Sequence, residues 1–227
     1  MELDRPAIAA GARAVLPVLL GIVPFGVITG VAMVASGIPP LAAMAMSLFV
    51  FAGASMVASA QLLAQGTPAL LVVLAALFIN LRFMMYSASL RQYFAGLPLR
   101  WRLFISYLQA DNVYGLTLGR FADHPGDPHK LEFFLGAGIP IWIVWQAAVL
   151  AGVLIGAEVP PSWRLEFAAP LAFIALTVPF LRSRSMVLAA LAAGATMVAA
   201  SALPLRLNLV LAAAIGIGVG LLFDEKK

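Results

Sequence analysis

Two residues are hard to explain by packing alone. Arg82 lies in LFINLRFMMYSASLRQ, residues 77–92, and Asp111 lies in WRLFISYLQADNVYGLTLGR, residues 101–120; both stretches are largely apolar. A helix starting near Pro68 places Arg82 about 21 Å along its axis and about 13 Å from the far end, at 1.5 Å per residue. That is too deep for the guanidinium to reach an interface comfortably, and a central arginine costs at least about 2.5–3.5 kcal/mol on insertion scales. An acid and a base at mid-membrane depth on consecutive helices cost less as a pair than apart. Purely structural pairing is one reading. The other is a solute site: two opposite charges match a zwitterion, whose ammonium needs a carboxylate and whose carboxylate needs a cation or a helix N-terminus. An intramembrane carboxylate is also a candidate proton carrier, which makes Asp111 the residue to test for coupling.

Other polar side chains gather at the same spacing. Arg82, Tyr86 and Ser89 follow i, i+4, i+7 and share one helix face, while Asn80, Met84 and Ser87 make the neighbouring one. Gln109 and Asn112 flank Asp111. Further upstream, FAGASMVASAQLLAQG, residues 51–66, offers Ser55, Ser59 and Gln61 beside a helix interruption at Gly53. Its small residues four apart, such as Ala54/Ala58 and Ser55/Ser59, equally suit close helix packing with the hydroxyls bonded back to their own backbone. In VLPVLLGIVPFGVITGVAMVASG, residues 15–37, Pro17 and Pro24 each remove a backbone donor. With Gly21, Pro24 and Gly26 together, one reading is a helix broken between Gly21 and Gly26 that opens toward Arg82; the other is a simple proline kink. Both histidines fall in DHPGDPH, residues 123–129, where two prolines and a glycine favour a solvated turn over a metal site.

The elements that must position these groups are membrane helices. The 227-residue chain is 63% hydrophobic and 11% charged, with a mean hydropathy of +1.02; soluble domains carry about 25% charged residues. Breaks at Gly, Pro and charged residues divide it into apolar segments near 13–36, 40–64, 68–91, 102–120, 132–156, 166–181, 185–202 and 206–223. The expected fold is all-α: a polytopic transmembrane bundle of seven or eight spans, some of them broken, forming a single integral membrane domain over 1–227. The N-terminal apolar run is too long for a cleaved leader and reads as a retained first helix. Counted over eight spans, the distribution of Lys and Arg favours termini on the cytoplasmic side.

Several chemistries lack their residues. There are no cysteines, so thiol catalysis and Cys-ligated metals are excluded. No histidine lies at membrane depth for a Ser–His or zinc enzyme, and no GxxxxGK[ST] stretch is present for ATP hydrolysis. The net charge of +4 is scattered over short connections, as at membrane flanks, so no nucleic-acid partner is expected. The expectation is a non-enzymatic protein of the lipid bilayer, without metal or cofactor.

FAGAS (51–55), NLRFMMYSASL (80–90) and ADNVYGLT (110–117) together resemble the AzlC family of branched-chain amino acid permeases, and the Pro/Gly-rich first helix extends the resemblance over nearly the whole chain. The resemblance implies proton-motive-force-driven export of branched-chain amino acids across the bacterial cytoplasmic membrane, together with a small AzlD-like membrane subunit of about 100 residues. The expected polar centre is Arg82 and Asp111, with Gly53, Ser55, Asn80, Tyr86 and Asn112 completing a substrate-binding lining. Three positions depart from the family pattern: Met56 stands where Gln is common, Phe83 where His is common, and Asn112 where Glu is common. The last two remove candidate proton-relay groups. A permease or channel for another small solute, or a non-transporting membrane assembly subunit, are the alternative readings.

Overall fold

The computed structural model describes residues 3–158, 181, 183–200 and 207–223. Every element among them is helical. They are α1 (Arg5–Ala35), α2 (Pro40–Val50), α3 (Gly53–Ala64), α4 (Ala69–Phe94), α5 (Leu99–Leu108), α6 (Asp111–Asp123), α7 (Lys130–Glu158), α8 (Arg184–Ala199) and α9 (Leu207–Leu222). By length and composition, α1, α4 and α7 can each cross a membrane. The helices fall into two units, α1–α7 and α8–α9. The expected segment at 166–181 lies outside the described residues except for its last position.

The core of the first unit is the α1–α7 pair. Glycines let the two backbones touch. A Cβ on Gly11 would overlap the Phe133 carbonyl, one on Gly30 the Val149 carbonyl, and one on Gly152 the Val27 carbonyl. These contacts advance along both helices in the same sense, from Gly11 with Phe133 to Val31 with Gly156, so α1 and α7 run parallel for about 30 Å. Val15, Met33, Phe134 and Val149 are among the fully buried side chains of this core. Short connections reverse the chain at 36–39, 65–68 and 95–98. Proline ends each of the turns and precedes or opens α2, α4 and α5, where its missing N–H is one of the donors a helix leaves unpaired anyway.

The expected break in α1 does not occur. The helix is continuous across Gly21, Pro24 and Gly26, and through both prolines. Gly26 and Gly30 are spent on contact with α7 rather than on freeing the backbone, and nothing lies within 4 Å of a Cβ placed on Gly21. The interruptions fall instead in the second and fourth segments, the first of them within two residues of the interruption expected at Gly53, the second in a stretch expected to be one helix. Segment 40–64 divides at Phe51–Ala52, immediately before Gly53, and segment 102–120 divides at Gln109–Ala110, immediately before Asp111. The two halves before the breaks are of similar length, 11 residues in α2 and 10 in α5, so each break lies about 15–17 Å along its segment.

Helix α4 is peripheral. Only 6% of its most apolar window is buried, against 44% in α1 and 39% in α7. Leu70, Leu77, Phe78, Leu81, Met84 and Met85 all face outward, as lipid or a second apolar chain would require. The second unit is an antiparallel hairpin: Gly216 packs on Ala193 and Gly220 on Ala189, again small residue against small residue.

Candidate functional site

The two breaks are built differently. Ending α2 at Val50 leaves its last carbonyls without helical partners. Phe51 turns the chain with a left-handed φ of 46°, unusual for a residue other than glycine. Neighbours take up the exposed carbonyls: Gln146 Nε2 donates to the Ser47 carbonyl at 3.1 Å, and Tyr107 Oη donates to the Leu48 carbonyl at 2.7 Å. Ser47 Oγ donates back to Gln146 Oε1 at 2.8 Å, and Trp142 Nε1 donates to Tyr107 Oη at 2.8 Å. Gly53 is required by space. A Cβ there would overlap the rings of Phe25 and Trp145, whose centroids are 5.4 Å apart.

The second break carries the charge. Asp111 is the first residue of α6, where a carboxylate is favoured by the positive end of the helix dipole. Its Oδ2 lies 2.9 Å from Arg82 Nη1, and its Oδ1 accepts from Tyr86 Oη at 2.8 Å. Tyr86 stacks on Tyr114 at 4.2 Å and 13°, and Tyr114 Oη donates to Ser89 Oγ at 3.2 Å. Ser87 Oγ donates to Gln109 Oε1 at 2.9 Å. The i, i+4, i+7 face of α4 is therefore the face turned to the α5–α6 break. The pair is open on one side, with 27% of the Arg82 side chain and 42% of the Asp111 side chain exposed. A carboxylate offers about four lone-pair positions, so Asp111 can accept a further donor without releasing Arg82 or Tyr86.

The remaining expected site residues stand in different relations to this centre. Asn80 keeps a buried Oδ1 with no hydrogen-bond partner, and Arg82 Nε is likewise unpaired. Asn112 is half-buried beside Asp111. Ser55 is buried and donates to the Ala52 carbonyl at 3.0 Å, the local back-bond of a helix start, and Gly53 serves the Phe25–Trp145 contact. No hydrogen bond or ring contact joins Gly53 or Ser55 to the Arg82–Asp111 pair. Tyr114, Ser87 and Gln109 complete the network. Ser87 is legible in the sequence as a member of a helix face and Tyr114 is not singled out there, because the stack and the Ser87–Gln109 bond depend on how α4 meets the break. In the 124–129 turn, Asp127 Oδ1 accepts from the His129 N–H at 2.9 Å and Oδ2 pairs with Arg120 at 3.3 Å. The His129 N–H, with Arg120 beside it, holds the Asp127 carboxyl below its usual range.

Comparison with known proteins supplies a family. The model of the AzlC protein family matches residues 17–159, which takes in both breaks and the charged pair. A protein of Archaeoglobus fulgidus described as an uncharacterized membrane protein is 29% identical over 187 residues, covering 81% of this chain and 80% of the relative. Another so described, from Helicobacter pylori, is 28% identical over 163 residues, covering 71% and 70%. No solved structure matches.

Proposed function

This chain belongs to the AzlC family of membrane transport proteins, and on that premise we propose that it is the large subunit of a secondary transporter exporting branched-chain and other apolar amino acids across the cytoplasmic membrane. The observation that carries this reading is the Arg82–Asp111 pair, set at a helix break and open on one side. One cationic and one anionic anchor among apolar walls accept a zwitterion with an uncharged side chain. They disfavour lysine or glutamate, whose extra charge would be desolvated without a partner. Asp111 takes the ammonium or the coupling proton, and Arg82 takes the carboxylate. Asn80 Oδ1, buried without a partner, is a free acceptor near the same depth of α4.

Five crossings are assigned to the first unit: α1, α2–α3, α4, α5–α6 and α7. Parallel α1 and α7 need an odd number of crossings between them, and these three segments supply it. The C-terminal segments would bring the total to the seven or eight read from sequence, and a count of eight puts both termini on the cytoplasmic side. A small AzlD-like subunit is the proposed partner.

The test is efflux from dipeptide-loaded cells, or counterflow in liposomes, with the partner present. Wild type is expected to release leucine, valine or isoleucine. Asp111→Asn and Arg82→Gln are each expected to fall at least about tenfold, the loss that follows from removing a charge-assisted contact. Equal export by all three would remove the pair from the mechanism. Export of charged solutes in place of apolar amino acids would assign the chain to a different solute.

A further inference from the structure

A cleft of about 120 Å³ lies between the C-terminal half of α4 and α5, next to the charged pair but separate from it. Its polar lining is Ser87, Arg91, Arg102, Ser106 and Gln109, and Leu90, Phe94 and Ile105 line its apolar side. The charge balance is one-sided: two guanidinium groups and no carboxylate. Neither Arg91 nor Arg102 has an acidic partner among the described residues. At the inner end, Gln109 is 4% exposed and its Nε2 has no hydrogen-bond partner, while its Oε1 is occupied by Ser87. A buried amide donor without a partner is costly, because it has lost its water and gained nothing in return. That cost is removed by an acceptor entering the cleft. Gln109 stands two residues before Asp111, and Ser87 follows Tyr86, which donates to Asp111. The cleft thus leads from two cations at the ends of α4 and α5 to the edge of the central pair.

We propose that this cleft is a second ligand site, specific for the carboxylate of a small apolar acid. Arg91 and Arg102 draw the anion in, Gln109 Nε2 donates to it, and Leu90, Phe94 and Ile105 receive its apolar portion. The cleft is smaller than the cavity of about 150 Å³ that encloses a six-carbon ring, and it is open on one side, so it takes the carboxylate end and the adjoining carbons while the rest of the acid extends out of it. The lining holds two cations and no carboxylate, so it favours the carboxylate end over an ammonium. This deepens the transport reading, since it gives an apolar amino acid a docking point beside Asp111. The binding claim itself does not depend on transport.

The experiment uses the purified full chain in detergent, titrated with 4-methylpentanoate, leucine and 3-methylbutylamine, with binding followed by calorimetry at low and high salt. Wild type is expected to bind 4-methylpentanoate saturably and leucine as well, with affinity falling as salt rises and with no competition from the amine. The Arg91→Gln/Arg102→Gln variant is expected to lose at least tenfold in affinity for the carboxylate. Gln109→Leu removes the inner donor and is expected to weaken binding with the same fold confirmed by circular dichroism. Absence of saturable carboxylate binding to wild type, or equal binding by wild type and the double arginine variant, overturns the proposal. So does binding of phosphatidylglycerol without binding of the carboxylate, which would make the cleft a lipid headgroup site. Efflux by wild type with no carboxylate binding defeats the cleft alone; carboxylate binding with no efflux defeats the transport reading alone.

Discussion

At Asp111 the two oxygens have different partners, a guanidinium on one and a phenol on the other, both supplied by a single face of α4. That division makes the pair measurable. Removing one charge strands the other, whereas removing both leaves a neutral contact. Arg82→Gln, Asp111→Asn and the double variant form a cycle, read by thermal unfolding in micelles. The double variant is expected to be more stable than the sum of the singles by about 0.5–3 kcal/mol, the range for residues in direct contact. Additive losses would mean that the 2.9 Å approach carries no coupling.

At the scale of the helix, glycine has two separable jobs in α1. Gly30 meets the Val149 backbone, while nothing lies within 4 Å of a Cβ at Gly21. Gly30→Ala must push α7 away and is expected to cost about 1–3 kcal/mol, as for other overpacked contacts. Gly21→Ala is expected to be neutral or to stabilise α1 by about 0.5–1 kcal/mol, because alanine loses less backbone entropy in a helix interior. The two variants are compared by melting temperature. A loss at Gly21 as large as that at Gly30 would show that the chain needs backbone freedom near Pro24 after all. The breaks at Phe51–Ala52 and Gln109–Ala110 follow a different logic. Each frees helix-end groups at mid-segment, and at the first break the side chains of Gln146 and Tyr107 cover the freed carbonyls. Irregular backbone at membrane depth survives only with such partners or beside a watered cavity.

At the scale of the molecule, the parallel run of α1 and α7 requires an odd number of crossings between them, and the proposed five-crossing topology of the first unit sets the sidedness of its connections. Because the chain has no cysteine, single cysteines can report it directly. With α2–α3 and α5–α6 each crossing once, Thr67→Cys and Gly126→Cys are expected to react with an impermeant maleimide from one side of the membrane. Ser36→Cys and Gly96→Cys are expected to react from the other. Labelling of Thr67→Cys and Gly96→Cys from the same side would mean that α4 does not span. The outward apolar face of α4 is compatible with lipid or with a small subunit, and co-expression with the partner followed by protection of a cysteine at Met84 or Met85 would distinguish the two.

Hydrophobicity alone determined that this chain is a helical membrane protein, because 63% apolar residues with 11% charged ones cannot be arranged as a soluble surface. The 3.6-residue period determined that Arg82, Tyr86 and Ser89 share a face, and cost at depth singled out Arg82 and Asp111 as needing partners. Tertiary contact decided the rest. Pro24 between glycines reads locally as a weak point, yet the glycines are consumed by α7 and the helix stays whole. Nothing local marks Gln109–Ala110 as a break; it exists because Asp111 gains as a helix N-terminal residue what Arg82 and Tyr86 across the gap complete. Gly53 looks like a hinge and is a spacer for two aromatic rings, while its neighbour Phe51 makes the turn. Periodicity and burial cost act within one segment and can be read from it, whereas the use of a glycine or the end of a helix depends on which other segment arrives beside it.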